Sequence, residues 1–445
     1  MTYRTACIGV ALLATAFAFP AHAKLSKAET KITTAVAADY ERSVALLEKL
    51  VTQNSGTMNF SGVAAVGEMM RAELEPLGFT VVWKAMVAAN RAGHLIATHK
   101  GKAGTKRMLL IAHLDTVFEK DSPFQTFTLR GEKAEGPGVG DDKGGMVVII
   151  SALRAMKAAG TLKNANVEIH MTGDEEDAGE PIDVARADLI AAGKHSDVAL
   201  DFEGLVVDDG KDMGSVARRS SNSWALTTTG KTGHSSLIFN STYGDGAINE
   251  ITRILARFRS ELPEPNLTFN VGIIVGGVEA ALDAQGIRGT ASGKTNIIPA
   301  TAIARGDFRT LSEDQTARVK AKMLAITADH APQTSASIRF EPGGYPAMAP
   351  TDGNRALLSR LNAINLDLGL AEMAPLDPLK RGAGDISFVA GDVDGLAGLG
   401  PDSDGDHAVG ETVDLNSIVR QAQRAAILMS RLSGEQAVAK PPSTR

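Results

Sequence analysis

A run of five apolar residues, Met108-Leu109-Leu110-Ile111-Ala112, ends directly in His113-Leu114-Asp115. A run this short and this apolar reads as a strand covered on both faces. The pattern recurs along the chain. Asn166–Met171 is a second strand of this kind, and Gly173-Asp174-Glu175-Glu176-Asp177 follows it. Val198–Phe202 is a third, carrying Asp201 and leading into Glu203. Between the first two, residues from Gly144 to Lys157 read as a helix after a Gly-rich turn. Strands alternating with helices predict an α/β fold with a mostly parallel sheet and helices on both faces. Upstream, Val36, Tyr40, Val44, Leu47 and Leu50 recur at helical spacing and predict one amphipathic helix over about Thr30–Thr52.

The pattern then changes. Trp224–Thr229 alternates like a half-exposed strand, a helix follows over about Asp245–Leu262, and strands come near Leu267–Val275 and Ala302–Arg309. A helix near Ser312–Asp329 and a strand over Ser335–Glu341 complete the set. Strand, helix, strand, strand, helix, strand is the order of a small ferredoxin-like α+β sandwich. After Pro346 the α/β pattern resumes and ends in a helix over Leu415–Leu432. The organisation this predicts is a catalytic domain in two parts, residues 24–215 and 345–433, interrupted by an insert over 216–344. Residues 434–445 are polar and Pro-containing and are expected to be a disordered tail.

A chain of 445 residues exceeds the usual size of a single core, in keeping with two domains. Its formal net charge of -6 excludes the basic footprint of a nucleic-acid binder. Arg4, an apolar stretch from Ala6 to Phe19, and Pro20-Ala21-His22-Ala23 form the pattern of a secretory signal peptide cut after Ala23. The apolar stretch falls short of the roughly 20 residues of a spanning helix. A periplasmic or secreted protein with no membrane span after cleavage is therefore expected. Cys7, the only cysteine, lies inside that signal, so the mature chain has no disulfide and no catalytic thiol.

The chemistry-bearing residues are grouped. His113 and Asp115 end a strand; an imidazole there can bind a metal, and a carboxylate two residues on can orient it. Gly136-Pro137-Gly138-Val139-Gly140-Asp141-Asp142-Lys143 sets two acids side by side in a permissive backbone. The acids Asp174–Asp177 read either as a solvated charge run or as a metal ligand beside a general base. Asp402, Asp404, Asp406 and His407 share a late loop, in which the three aspartates read as solvated. Each group follows a strand or lies in a loop of the same larger domain, so they can converge on one sheet edge. Two histidines with several carboxylates suit zinc, with cobalt or manganese as substitutes.

Ala-His-Leu-Asp-Thr-Val, Gly-Pro-Gly-Val-Gly-Asp-Asp-Lys-Gly-Gly and Gly-Asp-Glu-Glu, in this order, resemble the motifs of the zinc peptidases that include aminoacylase, acetylornithine deacetylase and succinyl-diaminopimelate desuccinylase. Asp-Phe-Glu, Gly-Lys-Thr-Gly-His-Ser, Thr-Asn-Ile-Ile-Pro-Ala and a late Asp-His extend the likeness over nearly all of the mature chain. Within that family the sequence looks most similar to the glutamate carboxypeptidase type. The resemblance implies a zinc-exopeptidase-like fold and two zinc ions per chain. His113 and Glu203 would hold one, Glu176 and His407 the other, and Asp141 would bridge them, with a cis Asp141–Asp142 peptide. Asp115 would orient His113, and Glu175 would be the general base. His234 would donate to the oxyanion, often from a dimer partner, while Asn296 and Arg309 would hold the substrate's carboxylate. The implied partners are a peptide or N-acyl amino acid substrate and a second copy bound through the insert.

The function expected is release of a C-terminal amino acid from a peptidyl or N-acyl substrate. The alternatives are an aminoacylase-type deacylase and, in another class, a metal-binding protein without catalysis. Relatives that prefer C-terminal glutamate can carry basic residues before the Pro that reopens the catalytic domain. Here Gly343-Gly344-Tyr345 precede Pro346, which argues against an acidic preference.

Overall fold

A computed structural model of the chain describes residues 25–437; the expected signal peptide lies outside these residues. Its larger sheet contains β1 (Thr80–Ala85), β2 (Gly93–His99), β3 (Arg107–His113), β4 (Asn166–Thr172) and β5 (Val198–Asp201), closed by a short strand at Gly395–Leu396. The order is β1-β2-β4-β3-β5 and then Gly395–Leu396. β3 runs parallel to β4 and to β5, and β5 to the short strand. β1 and β2 form an antiparallel flank.

Alternation along β3 explains the layers. Met108, Leu110 and Ala112 face the main core, which includes residues of the helices Lys143–Ala159 and Leu415–Leu432. Leu109 and Ile111 face the other side, against Leu189, Ala192 and Val389. Covered on both faces, the strand has no polar residue between Arg107 at its start and His113 at its carboxyl end.

The helix predicted over Thr30–Thr52 is two helices, Lys27–Ala38 and Tyr40–Thr52, broken at Asp39. The Asp39 carboxylate accepts hydrogen bonds from Ser43 Oγ and Arg154. A short acid that finds such partners competes with helix continuation. The segment expected to be a free tail begins bound: Lys106 N donates to the Glu435 carbonyl, and Glu435 pairs with Lys106 and Arg360.

A second sheet contains β6 (Asn222–Gly230), β7 (Thr268–Gly277), β10 (Thr301–Arg309) and β11 (Thr334–Phe340), with a hairpin, β8 (Glu279–Leu282) and β9 (Gly289–Ser292), between β7 and β10. The order is β7-β10-β6-β11 and every pairing is antiparallel. Its inner face, Trp224, Leu226, Ala302, Ala304 and Phe308, packs on Ile251, Ile254 and Phe258 of the helix Ala247–Glu261 and on Val319 and Met323 of Glu313–Ala328. No helix of the described residues is long and apolar enough to cross a membrane.

Candidate metal centre

His113 is brought to the site by the end of β3, and Glu175 and Glu176 by the turn after β4. Asp141 precedes the helix Lys143–Ala159, and the Asp141–Asp142 peptide is cis. His113 Nε2 lies 2.9 Å from one Asp141 oxygen, and His407 Nε2 lies 3.1 Å from the other. His407 Nε2 is also 3.2 Å from Glu176 Oε2. Ligand atoms of His113, Asp141 and Glu176 all fall within 4.8 Å of one another. One aspartate thus faces two imidazoles, one through each oxygen.

Asp115 holds this arrangement. Its backbone carbonyl lies 3.1 Å from His113 Nδ1, and its Oδ1 lies 3.4 Å away. The same carboxylate accepts from the Glu175 and Glu176 amides at 3.0 and 3.1 Å, and from Thr57 Oγ1 at 2.6 Å. Asp115 therefore orients the histidine and fixes the acid pair together.

The electrostatics describe a crowded negative cluster. Burial and the neighbouring Glu203 push the Glu175 carboxyl well above the usual range. Burial raises Glu176 as well. Hydrogen bonds to Asp141 and Glu176 push His407 up to about 11. Burial opposes charge on His113, yet Asp115 and Asp141 hold its imidazolium form well above the ordinary range. Glu176 Oε1 is buried with no hydrogen-bond partner among the described residues. Buried acids with a free oxygen need cationic compensation. Imidazole and carboxylate donors in this number suit a divalent transition metal.

A cavity of about 480 Å³ lies over this cluster. Its lining includes the acids Asp141, Glu175, Glu176 and Glu203 and the bases Arg218, Arg309, Lys380 and Arg381. Glu203 Oε2 is 2.6 Å from Arg218, which also pairs with Asp201 at 3.1 Å. Basic side chains before Pro346 are thus absent, but others reach the cavity from the segments at 218, 309 and 380–381. Asp406 lines it too, whereas Asp404 lies outside its lining.

The sequence reading overlooked the supports. The Glu411 carboxylate accepts from the amides of Gly138, Gly140 and Asp141 at 2.8–3.1 Å and so shapes the Gly-rich loop. Its only sequence signal is an acid four residues past His407. Arg186 is buried between Asp174, Asp385 and Tyr345 Oη. No periodicity marks such long-range pairs.

His234, Asn296 and Arg309 do not come together within one chain. Arg309 ends β10 beside the metal cluster. His234 and Asn296 lie past the opposite end of that strand, where Ser235 N donates to the Asn296 carbonyl and His234 bridges to Ile297. From Thr301 to Arg309 alone the strand spans roughly 26 Å. His234 is exposed and its Nδ1 is engaged by Ser236. Within one chain an extended strand separates Asn296 from Arg309.

The model of peptidase family M20/M25/M40 matches residues 109–431, a span that includes every residue of this cluster. The chain belongs to that family. It is accordingly a hydrolase of peptide or amide bonds. Carboxypeptidase G2 from Pseudomonas sp. (strain RS-16) is 29% identical over 441 residues, covering 97% of this chain and 98% of that one. Among solved structures, a tripeptidase from Staphylococcus aureus superposes with a TM-score of 0.68 at 17% identity, over 89% of this chain and 99% of the other. A Bacillus subtilis family member described as a dinuclear metal-binding peptidase gives 0.62 at 14%, over 89% and 99%. These two likenesses concern the fold, which this member of the family shares.

Proposed function

We propose that the protein is a dinuclear zinc exopeptidase that releases a C-terminal amino acid from a peptidyl or N-acyl substrate. The observation that carries this reading is that an acidic, histidine-bearing cluster and Arg309 line one cavity. His113 and Glu203 would hold one cation, Glu176 and His407 the other, with Asp141 shared. Two such cations, when bound, acidify a water and polarise a carbonyl.

The chain's own groups do the rest. Glu175 takes the proton of the attacking water and returns it to the leaving nitrogen. Its burial raises its proton affinity above the ordinary carboxylate range. The fork of Arg309 receives the terminal carboxylate, for which a planar guanidinium is suited. Tyr345 fixes the Glu175 backbone by donating to its carbonyl at 2.8 Å.

His234 and Asn296 lie too far along the second sheet to serve their own chain. We therefore assign them to the site of a second copy, paired through that sheet. The N-terminal pattern ending at Ala23 supports export to the periplasm or beyond.

The test is hydrolysis of zinc-loaded protein against peptides and N-acyl amino acids, each with a free and an amidated C-terminus, beside metal analysis. Two zinc ions per chain and at least a tenfold preference for the free acid are expected. Equal cleavage of acid and amide would refute the carboxylate role of Arg309.

A further inference from the structure

His234 opens a loop that is held by its own hydrogen bonds and left uncovered. The loop leaves β6, makes one short turn over Ser235–Leu237 and reaches the helix Ala247–Glu261. Its base is tied to the segment that carries Asn296: Ser235 N donates to the Asn296 carbonyl at 2.9 Å, and Ile298 N donates to the Gly233 carbonyl at 2.8 Å. Its tip is closed on itself. Phe239 N donates to the Gly244 carbonyl and Gly244 N to the Asn240 carbonyl, both at 2.8 Å. Asn240 Oδ1 accepts from the Thr242 and Tyr243 amides, each at 2.9 Å.

Phe239 is the anomaly of this loop. Its φ is +66°, in the left-handed region that a bulky side chain rarely adopts. Its ring is 67% exposed, and Leu237 beside it is exposed as well. A single exposed apolar side chain is ordinary. One that is also held in a strained backbone contributes little to its own chain, and such strain concentrates at binding and active sites.

The metal cluster has a rim of the same character. Val409, two residues past His407, is 69% exposed. Met58, also exposed, follows Thr57, whose hydroxyl donates to Asp115. Each apolar pair thus flanks reactive groups: Leu237 and Phe239 stand beside His234, and Met58 and Val409 beside the cluster. Within one chain the two pairs lie at opposite ends of β10, a span of roughly 26 Å.

Resting on the two-chain site assigned to His234, we propose that Leu237 and Phe239 dock on the Met58 and Val409 rim of a second copy. The occupant of that rim is another copy of this chain, because the loop that brings the apolar side chains also carries His234, which its own cluster lies too far away to use. Docking removes the four side chains from water and seats the loop, so that His234 reaches the second copy's cavity in a fixed position. The contact is reciprocal, and a symmetric dimer makes it twice.

The experiment uses the chain's shortage of cysteine: in a Cys7→Ser background no other thiol is present. Phe239→Cys chains are mixed with Val409→Cys chains, given time to exchange subunits, and treated with a short bismaleimide. The yield of two-chain product is expected to be at least tenfold that of Phe239→Cys mixed with Val82→Cys, a position exposed on the edge strand β1. Met58→Cys replaces Val409→Cys if that variant does not fold, and should give the same excess. A smaller excess, in a sample that sedimentation shows to be dimeric, would overturn the docking surface. So would a protein that stays monomeric at every concentration tested; both results leave the exopeptidase reading standing. Cross-linking needs no turnover, so a protein that hydrolyses none of the substrates yet gives the tenfold excess keeps the docking surface and loses the exopeptidase reading.

Discussion

Tyr345 Oη donates to the backbone carbonyl of Glu175 at 2.8 Å. The contact ties the segment leaving the second sheet to the loop that carries the acid pair, 170 residues away in sequence. Through Arg186, which also contacts Tyr345 Oη, the same network reaches Asp174 and Asp385. The position of Glu175 is thus fixed from its backbone, and its carboxylate stays free to exchange a proton.

Glu175→Ala should therefore keep both metals and lose kcat by roughly two to four powers of ten, the scale of general acid–base catalysis. Metal analysis beside steady-state kinetics measures both. Loss of metal in this variant would show that Glu175, rather than Glu176, is the ligand.

His234→Ala should lower kcat by about a hundredfold with unchanged metal content, as loss of an oxyanion donor does. Because His234 lies far from its own cluster, mixing His234→Ala chains with Glu175→Ala chains should restore activity. Whole sites would form in mixed dimers alone. No recovery despite demonstrated subunit exchange would exclude the two-chain site.

Metal binding should compete with protons. His407 is pushed up to about 11, so near neutral pH its imidazole holds a proton that a cation must displace, and His113 is raised in the same direction. Apparent affinity should then rise with pH by about tenfold per unit for each proton released. The sign for the metal-free protein is opposite: a raised folded pKa gives stability that is present below about 6.5 and lost as pH rises toward 11. Zinc titrations and thermal melts of metal-free protein across pH 6–9 read the two slopes; a flat affinity would remove the histidines from the ligand set.

Arg186→Met should destabilise the protein by about 3–5 kcal/mol, since removing one partner leaves buried charge uncompensated. The guanidinium is fully buried and pairs with Asp174 at 2.6 Å and Asp385 at 2.7 Å. Denaturant unfolding followed by circular dichroism measures it. A change below about 1 kcal/mol would show that the network adds little to stability.

The sequence by itself determined the local elements and the reactive groups. Short apolar runs marked β3, β4 and β5, and the second sheet's strands and the final helix were likewise legible to within a few residues. Those signals survive in sequence because each element buries one face or both, which dictates residue type position by position. His113, Asp141, Glu175, Glu176 and His407 stood out as acids and imidazoles after buried strands or in loops of one domain, and the resemblance to the zinc peptidases separated them from solvated charge runs. Only the tertiary structure decided how these groups meet. It paired Glu203 with Arg218, placed Glu411 under the Gly-rich loop, brought Arg309 into one cavity with the acids, and separated it from Asn296 by the length of a strand. It also broke the first helix at Asp39, where a partner 115 residues away outweighs the local periodicity. Contacts across such spans depend on strand order and register, and neither is written in the spacing of any one segment.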